Sequence, residues 1–220
     1  MNQRGFTLIE MIVSIAIFMV VAVVAVGSLV RIVALNRQAQ ALQSSVNNIS
    51  FSLDSMSREL RQSAKIACQP SYNGAQINDP STITSDCENM HAGQNQLIVF
   101  QTNKTAPKSG GGTCNLYYAY WFSPIAGTSP VNYSIQKAQQ TGCDPPGQSL
   151  TGGPSSNFYT IIDDANVKIT GYNLAVFSAL TNSLFTYKWV FVRVTGYSGV
   201  KAADQNYFDV QTSVSQRVND

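Results

Sequence analysis

Apolar positions in the first part of the chain fall into two patterns that meet near residue 35. Residues 11–30 are twenty consecutive positions without a charge. At a helical rise of about 1.5 Å per residue such a run spans the roughly 30 Å hydrocarbon core of a bilayer, which predicts a membrane-crossing helix. A secretory signal peptide has a shorter apolar core, about 7 to 15 residues, closed by a small-residue cleavage site; this run instead continues into Arg31 with no such exit. Beyond it the period changes. Leu35, Ala39, Leu42, Val46, Ile49, Leu53, Met56 and Leu60 recur at alternating steps of four and three, a heptad seam with polar residues between. One helix is therefore expected from about residue 6 to about residue 65, roughly 90 Å long. Its later half is expected to pack on the chain's own C-terminal region and its earlier half on neighbouring subunits.

From Cys68 onward the composition turns to loops and strands. Stretches rich in Pro, Asn, Ser and Gly at 69–94 and 102–113 bracket a strand at 96–101,. A second strand at 116–122 places Leu116, Tyr118, Tyr120 and Phe122 on one face, and 131–138 is a third, followed by a loop at 141–156. Residues 166–178 and 184–195 read as a long hairpin, with Phe185, Tyr187, Trp189, Phe191 and Arg193 alternating against Thr186, Lys188, Val190 and Val192; residues 208–217 form the last strand. The expected fold class is α+β, a mostly antiparallel sheet covering the helix. The expected division is a transmembrane half of the helix at 6–35, an amphipathic half at 36–66 and one β-rich globular domain at 67–220.

Glu10 interrupts this simple picture, because removing it would make a better anchor. An ionised carboxylate at the centre of a membrane helix costs about 2.5 kcal/mol or more, so it calls for a cation. Arg4 lies six residues before Glu10 and Arg31 twenty-one after, and neither is near it on the helix. Solvation at the headgroup level is the plain alternative. A cut between Gly5 and Phe6, however, would release a new α-amino group four residues from Glu10.

The run Gly5-Phe6-Thr7-Leu8-Ile9-Glu10 resembles the type IV prepilin leader-peptidase motif shared by pilins and by the pseudopilins of type II secretion. The resemblance implies removal of a leader, residues 1–5, by a membrane prepilin peptidase after Gly5, methylation of Phe6, and pairing of Glu10 with the N-terminal amine of a neighbouring subunit. It also implies other pilins or pseudopilins and an inner-membrane assembly platform as partners. Ser57-Arg58-Glu59-Leu60-Arg61 and residues 208–217 are similar to the end of the long helix and the terminal strand of J-type minor pseudopilins and large minor pilins. A buried carboxylate is costly only while unpaired, so on this reading Glu10 is an assembly device that sets register. Gly5, without a side chain, can be drawn extended into a protease cleft. Gly27-Ser28 lies where many major pilins carry a proline; local melting and a close helix contact are both open there.

Orientation does not follow from basic residues, since Arg4 lies on one side of the run and Arg31 and Arg37 on the other,. Cys68, Cys87, Cys114 and Cys143 all lie beyond the anchor with no Cys-x-x-Cys pair, which suits disulfides in an oxidising compartment rather than zinc. Four cysteines allow three pairings; the sequential scheme, Cys68 with Cys87 and Cys114 with Cys143, is the expectation, each loop contributing about 3 to 4 kcal/mol. The expected location is a single-pass inner-membrane protein with an extracytoplasmic C-terminal domain.

Catalytic chemistry finds little material. The chain has one histidine, His91, and three glutamates, two of them on the predicted helix, so acid, base and nucleophile sets are hard to assemble. Asp163-Asp164 reads as a turn or cap rather than a calcium site, and Gly110-Gly111-Gly112 lacks the Lys-Ser/Thr that would follow in a phosphate loop. The formal net charge is +2, or +1 without Arg4, too little for nucleic-acid binding by the aromatic run 117–122, which core packing explains better. No enzyme, cofactor, metal or nucleic-acid partner is expected. The leading function is a minor pilin or pseudopilin, favoured over a major subunit by size, that initiates or caps a type IV pilus or a type II secretion pseudopilus. A pilin-anchored binding module, an adhesin or DNA-uptake tip subunit displaying the loops between Cys68 and Cys143, is the alternative; a membrane-tethered enzyme is the third.

Overall fold

The spacing of apolar residues produces one uninterrupted helix, α1 (Leu8–Arg61, 54 residues). It belongs to a computed structural model that describes residues 7–69, 72, 77, 80–83, 87–90, 96–125, 127–128, 131–144, 150, 158–162, 167–182, 185–199 and 205–216. The chain divides into two compact units, Met1–Gln43 and Ser44–Asp220, so the helix contributes to both. Its end comes about a turn earlier than the pattern predicts. Arg58 and Arg61 occupy the last turn, where cations complement the helix dipole. Ser63 then donates its hydroxyl to the Leu60 carbonyl at 2.6 Å, and the Ala64 N–H turns to the Gln101 carbonyl at 3.0 Å. Sheet pairing has captured the chain before helix propensity runs out.

Among the described residues nine strands follow: β1 (Lys65–Gln69), β2 (Cys87–Met90), β3 (Gln96–Pro107), β4 (Thr113–Ile125), β5 (Asn132–Gln139), β6 (Phe158–Ile162), β7 (Val167–Asn182), β8 (Phe185–Ser198) and β9 (Asn206–Ser215). They form one antiparallel sheet in the order β1-β3-β4-β5-β7-β8-β9, with β2 beside β7 and β6 beside β5. This is the expected α+β architecture, with three strands, β1, β2 and β6, that the pattern did not predict. The stretch 102–113, expected as a loop, is mostly strand. β3 and β4 extend as the arms of a hairpin whose turn is closed by Lys108 N–H to the Gly112 carbonyl at 3.1 Å. Gly111 and Gly112 take φ of 88° and 85° there, a conformation that side chains resist.

The sheet packs on both faces. On one, Ile49, Leu53, Met56 and Leu60 of α1 meet Phe100, Tyr120 and Phe122 and the inward valines of β7 and β8. Each such fully buried side chain contributes about 1.5–3 kcal/mol. On the other face Leu97, Val99, Ala119 and Ala138 are covered by Tyr72, Leu150 and Phe158, with Tyr72 set edge-on against Trp121 at 5.0 Å. Both faces of the β3–β4 pair are thus apolar, and the odd-numbered positions of 117–122 are covered as well as the even ones. On β8, Gly196 is required: a Cβ there would strike the Lys168 carbonyl oxygen and lie 2.7 Å from the Phe208 ring.

One polar cluster joins helix to sheet inside this core. Glu59 forms an ion pair with Lys137 of β5 and accepts a hydrogen bond from the Tyr120 hydroxyl at 2.7 Å. The Lys137 ammonium also lies 5.2 Å and 5.6 Å from the ring centres of Tyr118 and Tyr120, a favourable cation–π placement. Burial, then the Glu59 charge and its hydrogen bond, push the Tyr120 phenol well above its ordinary range; burial also raises Tyr172. Below an unfolded phenol pKa of about 10 both states hold the proton and the stability is intact, whereas above it only the unfolded chain ionises. Stability should therefore fall by about 1.4 kcal/mol per pH unit for each such phenol as pH rises past about 10. Urea unfolding at rising alkaline pH checks this, with Tyr120→Phe expected to show a shallower decline.

Candidate functional site

The residues singled out for assembly lie at the start of α1. Thr7 stands just before the helix, and its hydroxyl oxygen accepts from the Glu10 N–H at 3.4 Å. Glu10 reaches back: its carboxylate accepts from the Thr7 N–H at 3.4 Å and from the Thr7 hydroxyl at 3.3 Å. This is a capping box, in which Thr at the N-cap and Glu three residues on satisfy each other's backbone donors. The carboxylate also sits at the positive end of the helix dipole. Glu10 therefore has local donors, while among the described residues it forms no ion pair. The Thr-x-x-Glu spacing that announces this cap is present in the sequence, so Glu10 has backbone and hydroxyl donors as well as its need for a cation. Gly5 and Phe6, the expected cleavage and methylation positions, lie outside the described residues.

Behind the cap the helix shows an apolar surface on every side. All large apolar side chains from Leu8 to Leu35 are exposed, between 46% and 78%. That surface is far larger than a soluble protein leaves to water. The helix is long and apolar enough to cross a membrane. Its few hydroxyls are satisfied by the helix itself: Ser14 donates to the Glu10 carbonyl at 2.6 Å and Ser28 to the Ala25 carbonyl at 2.8 Å, as an apolar environment demands. At Gly27-Ser28 the helix continues without a break, and a Cβ on Gly27 would meet nothing within 4 Å.

The seam residues divide by position. Leu35 is exposed, Leu42 and Val46 are half-buried, and Ile49, Leu53, Met56 and Leu60 are buried in the core. The cysteines form two disulfides, Cys68–Cys87 and Cys114–Cys143. The first ties β1 to β2. Next to the second, Asp144 accepts from the Ser109 N–H at 2.7 Å and the Ser109 hydroxyl at 2.6 Å, clasping the β3–β4 turn; those bonds hold its carboxyl below the usual range. Among the described residues no group of three or more His, Cys, Asp or Glu could hold a metal; His91, Asp163 and Asp164 lie outside them. Nothing local in the sequence marks the Glu59–Lys137 pair, whose partners are 78 residues apart.

The prokaryotic N-terminal methylation motif matches residues 1–26. No curated protein and no solved structure matches the chain. Together the motif, the membrane-length helix it opens and the antiparallel sheet packed on the later turns of that helix support a type IV prepilin-like protein.

Proposed function

We propose that this chain is a minor pilin or pseudopilin, a structural subunit that helps to initiate or cap a type IV pilus or a type II secretion pseudopilus. The observation that carries the proposal is the methylation motif at residues 1–26 joined to a helix whose first half has no covering of its own. An apolar helix of this length is stable in lipid, and it leaves lipid only for a bundle of similar helices. In this account a prepilin peptidase cuts after Gly5, Phe6 becomes the methylated N-terminus, and the Phe6 amine of one subunit meets Glu10 of another. The exposed stretch around Leu35 packs on neighbouring subunits, and the sheet domain lies outside the cytoplasm. Two disulfides favour that side of the membrane,.

Processing tests the reading. The expected result is that intact mass spectrometry of the protein from producing cells finds a chain beginning at a methylated Phe6. Gly5→Val should retain the leader and abolish the filament or secretion phenotype. A functional machine built from subunits that keep residues 1–5 would contradict it.

A further inference from the structure

Among the described residues, aromatic side chains are exposed on one face of the sheet where β7, β8 and β9 run side by side. Val190, Val192 and Val194 of β8 are buried toward the helix, so the residues between them point the other way. Trp189 is 50% exposed and Phe177 is 39% exposed. The register sets Phe177 opposite Trp189 and Ala175 opposite Phe191, and continues across β9 to Ser215 and Ser213. Asn173, Ala175, Phe177, Trp189, Phe191 and Ser213 line a groove of about 400 Å³. One row further along, Asn173, Arg193 and Gln211 lie abreast. The Arg193 guanidinium is held by Asp209, with Nε 2.9 Å from Oδ1 and 3.1 Å from Oδ2.

We propose that this groove binds a neutral oligosaccharide, one sugar ring stacking on Trp189 while Ser213 and, two rows along the strands, Asn173 and Gln211 hydrogen-bond the hydroxyls of the rings that follow. A pyranose ring has an apolar C–H face and a rim of hydroxyls that both donate and accept. A chain of such rings is matched by an indole at one end of the groove with hydroxyls beside it and side-chain amides two rows along, the arrangement found here,. Charge selects among ligands. Among the described residues the groove lining contains no ionisable side chain, and Arg193 beside it is paired with Asp209. A nucleic acid or acidic peptide would need uncompensated cations, so the face fits an uncharged polyhydroxylated ligand. The volume lies within the range usual for small-ligand sites, about 300–1,000 Å³. Three adjacent antiparallel strands give a broad floor for a chain of rings rather than a pit for a single one. This site is independent of the filament role.

The test uses the full chain in nanodiscs of neutral phospholipid, prepared without sugar-headed detergent. Calorimetric titration with cellotetraose, chitotetraose and maltotetraose should show at least one binding in the micromolar to millimolar range. Trp189→Ala should weaken that binding by about tenfold or more, and Trp189→Phe, which keeps a ring, by less. Asn173→Ala, which spares the aromatic floor, should also weaken it and covers the case in which Trp189→Ala does not fold. Absence of binding by all three sugars, or binding that neither variant changes, overturns the proposal. So does binding of a single-stranded oligothymidylate that the sugars compete with, which would assign the face to nucleic acid. Self-association that Trp189→Ala abolishes in sedimentation would assign it to a second copy, with the same consequence.

Discussion

Glu59→Ala is expected to destabilise the sheet domain by about 3 kcal/mol, the low end of the range for removing the partner of a buried charge, since Glu59 itself is only half-buried. The substitution leaves the Lys137 ammonium, whose side chain is only 9% exposed, facing the rings of Tyr118 and Tyr120 with no carboxylate. It also removes the acceptor of the Tyr120 hydroxyl. Most of the loss is the desolvation of groups left behind, not the attraction removed. Two further variants separate these terms. Glu59→Gln keeps an acceptor for Tyr120 and loses only the charge, so it should cost less than Glu59→Ala. The double variant Glu59→Met/Lys137→Met fills the same space with apolar atoms and should recover the part of the loss that comes from the stranded ammonium, leaving only the cost of the unpaired Tyr120 hydroxyl. Urea unfolding of the full chain, followed by near-UV circular dichroism, gives all three values. A cost below about 1 kcal/mol for Glu59→Ala would mean that the pair behaves as a surface contact and does not hold helix to sheet.

What could be seen in the sequence follows from how local each signal is. The helix was legible because Leu35 to Leu60 repeat at a period that only a helix puts on one face, and the central strands because valines and aromatics alternate along 116–122 and 184–195. The outer part of the β3–β4 hairpin was not legible. Residues such as Asn103, Lys104 and Thr105 are exposed there, so no buried face impresses a pattern on them. β1 is invisible for another reason. Its five residues follow the helix without a glycine or proline, and its register depends on Gln101 and on the disulfide to Cys87, contacts that lie far along the chain. At the candidate site, Glu10 stood out as a charge in an apolar context. The Thr7 cap that gives it a local role is equally readable, since Thr7 and Glu10 stand at capping-box spacing,.

Glu10→Gln is expected to reduce incorporation of the subunit into filaments by about tenfold or more. A tenfold change corresponds to about 1.4 kcal/mol, less than the 3 kcal/mol or more that an uncompensated charge deep in a membrane helix bundle can represent. The choice of glutamine matters. In a capping box Gln replaces Glu at the third helical position, so the bonds to Thr7 and the start of α1 are retained while the charge is removed. Any loss then reports on the proposed partner, the freed amine of an adjoining Phe6, rather than on helix fraying. Leader removal should be unaffected, since the cut lies before the helix.

The most direct measurement is the share of subunit recovered in sheared filaments or pseudopili relative to membranes, for the unaltered chain and for Glu10→Gln, with the mature mass of each verified. The account predicts correctly cleaved Glu10→Gln protein that accumulates in the membrane and is depleted from the filament. Cleaved Glu10→Gln protein recovered in filaments at the unaltered level would contradict it.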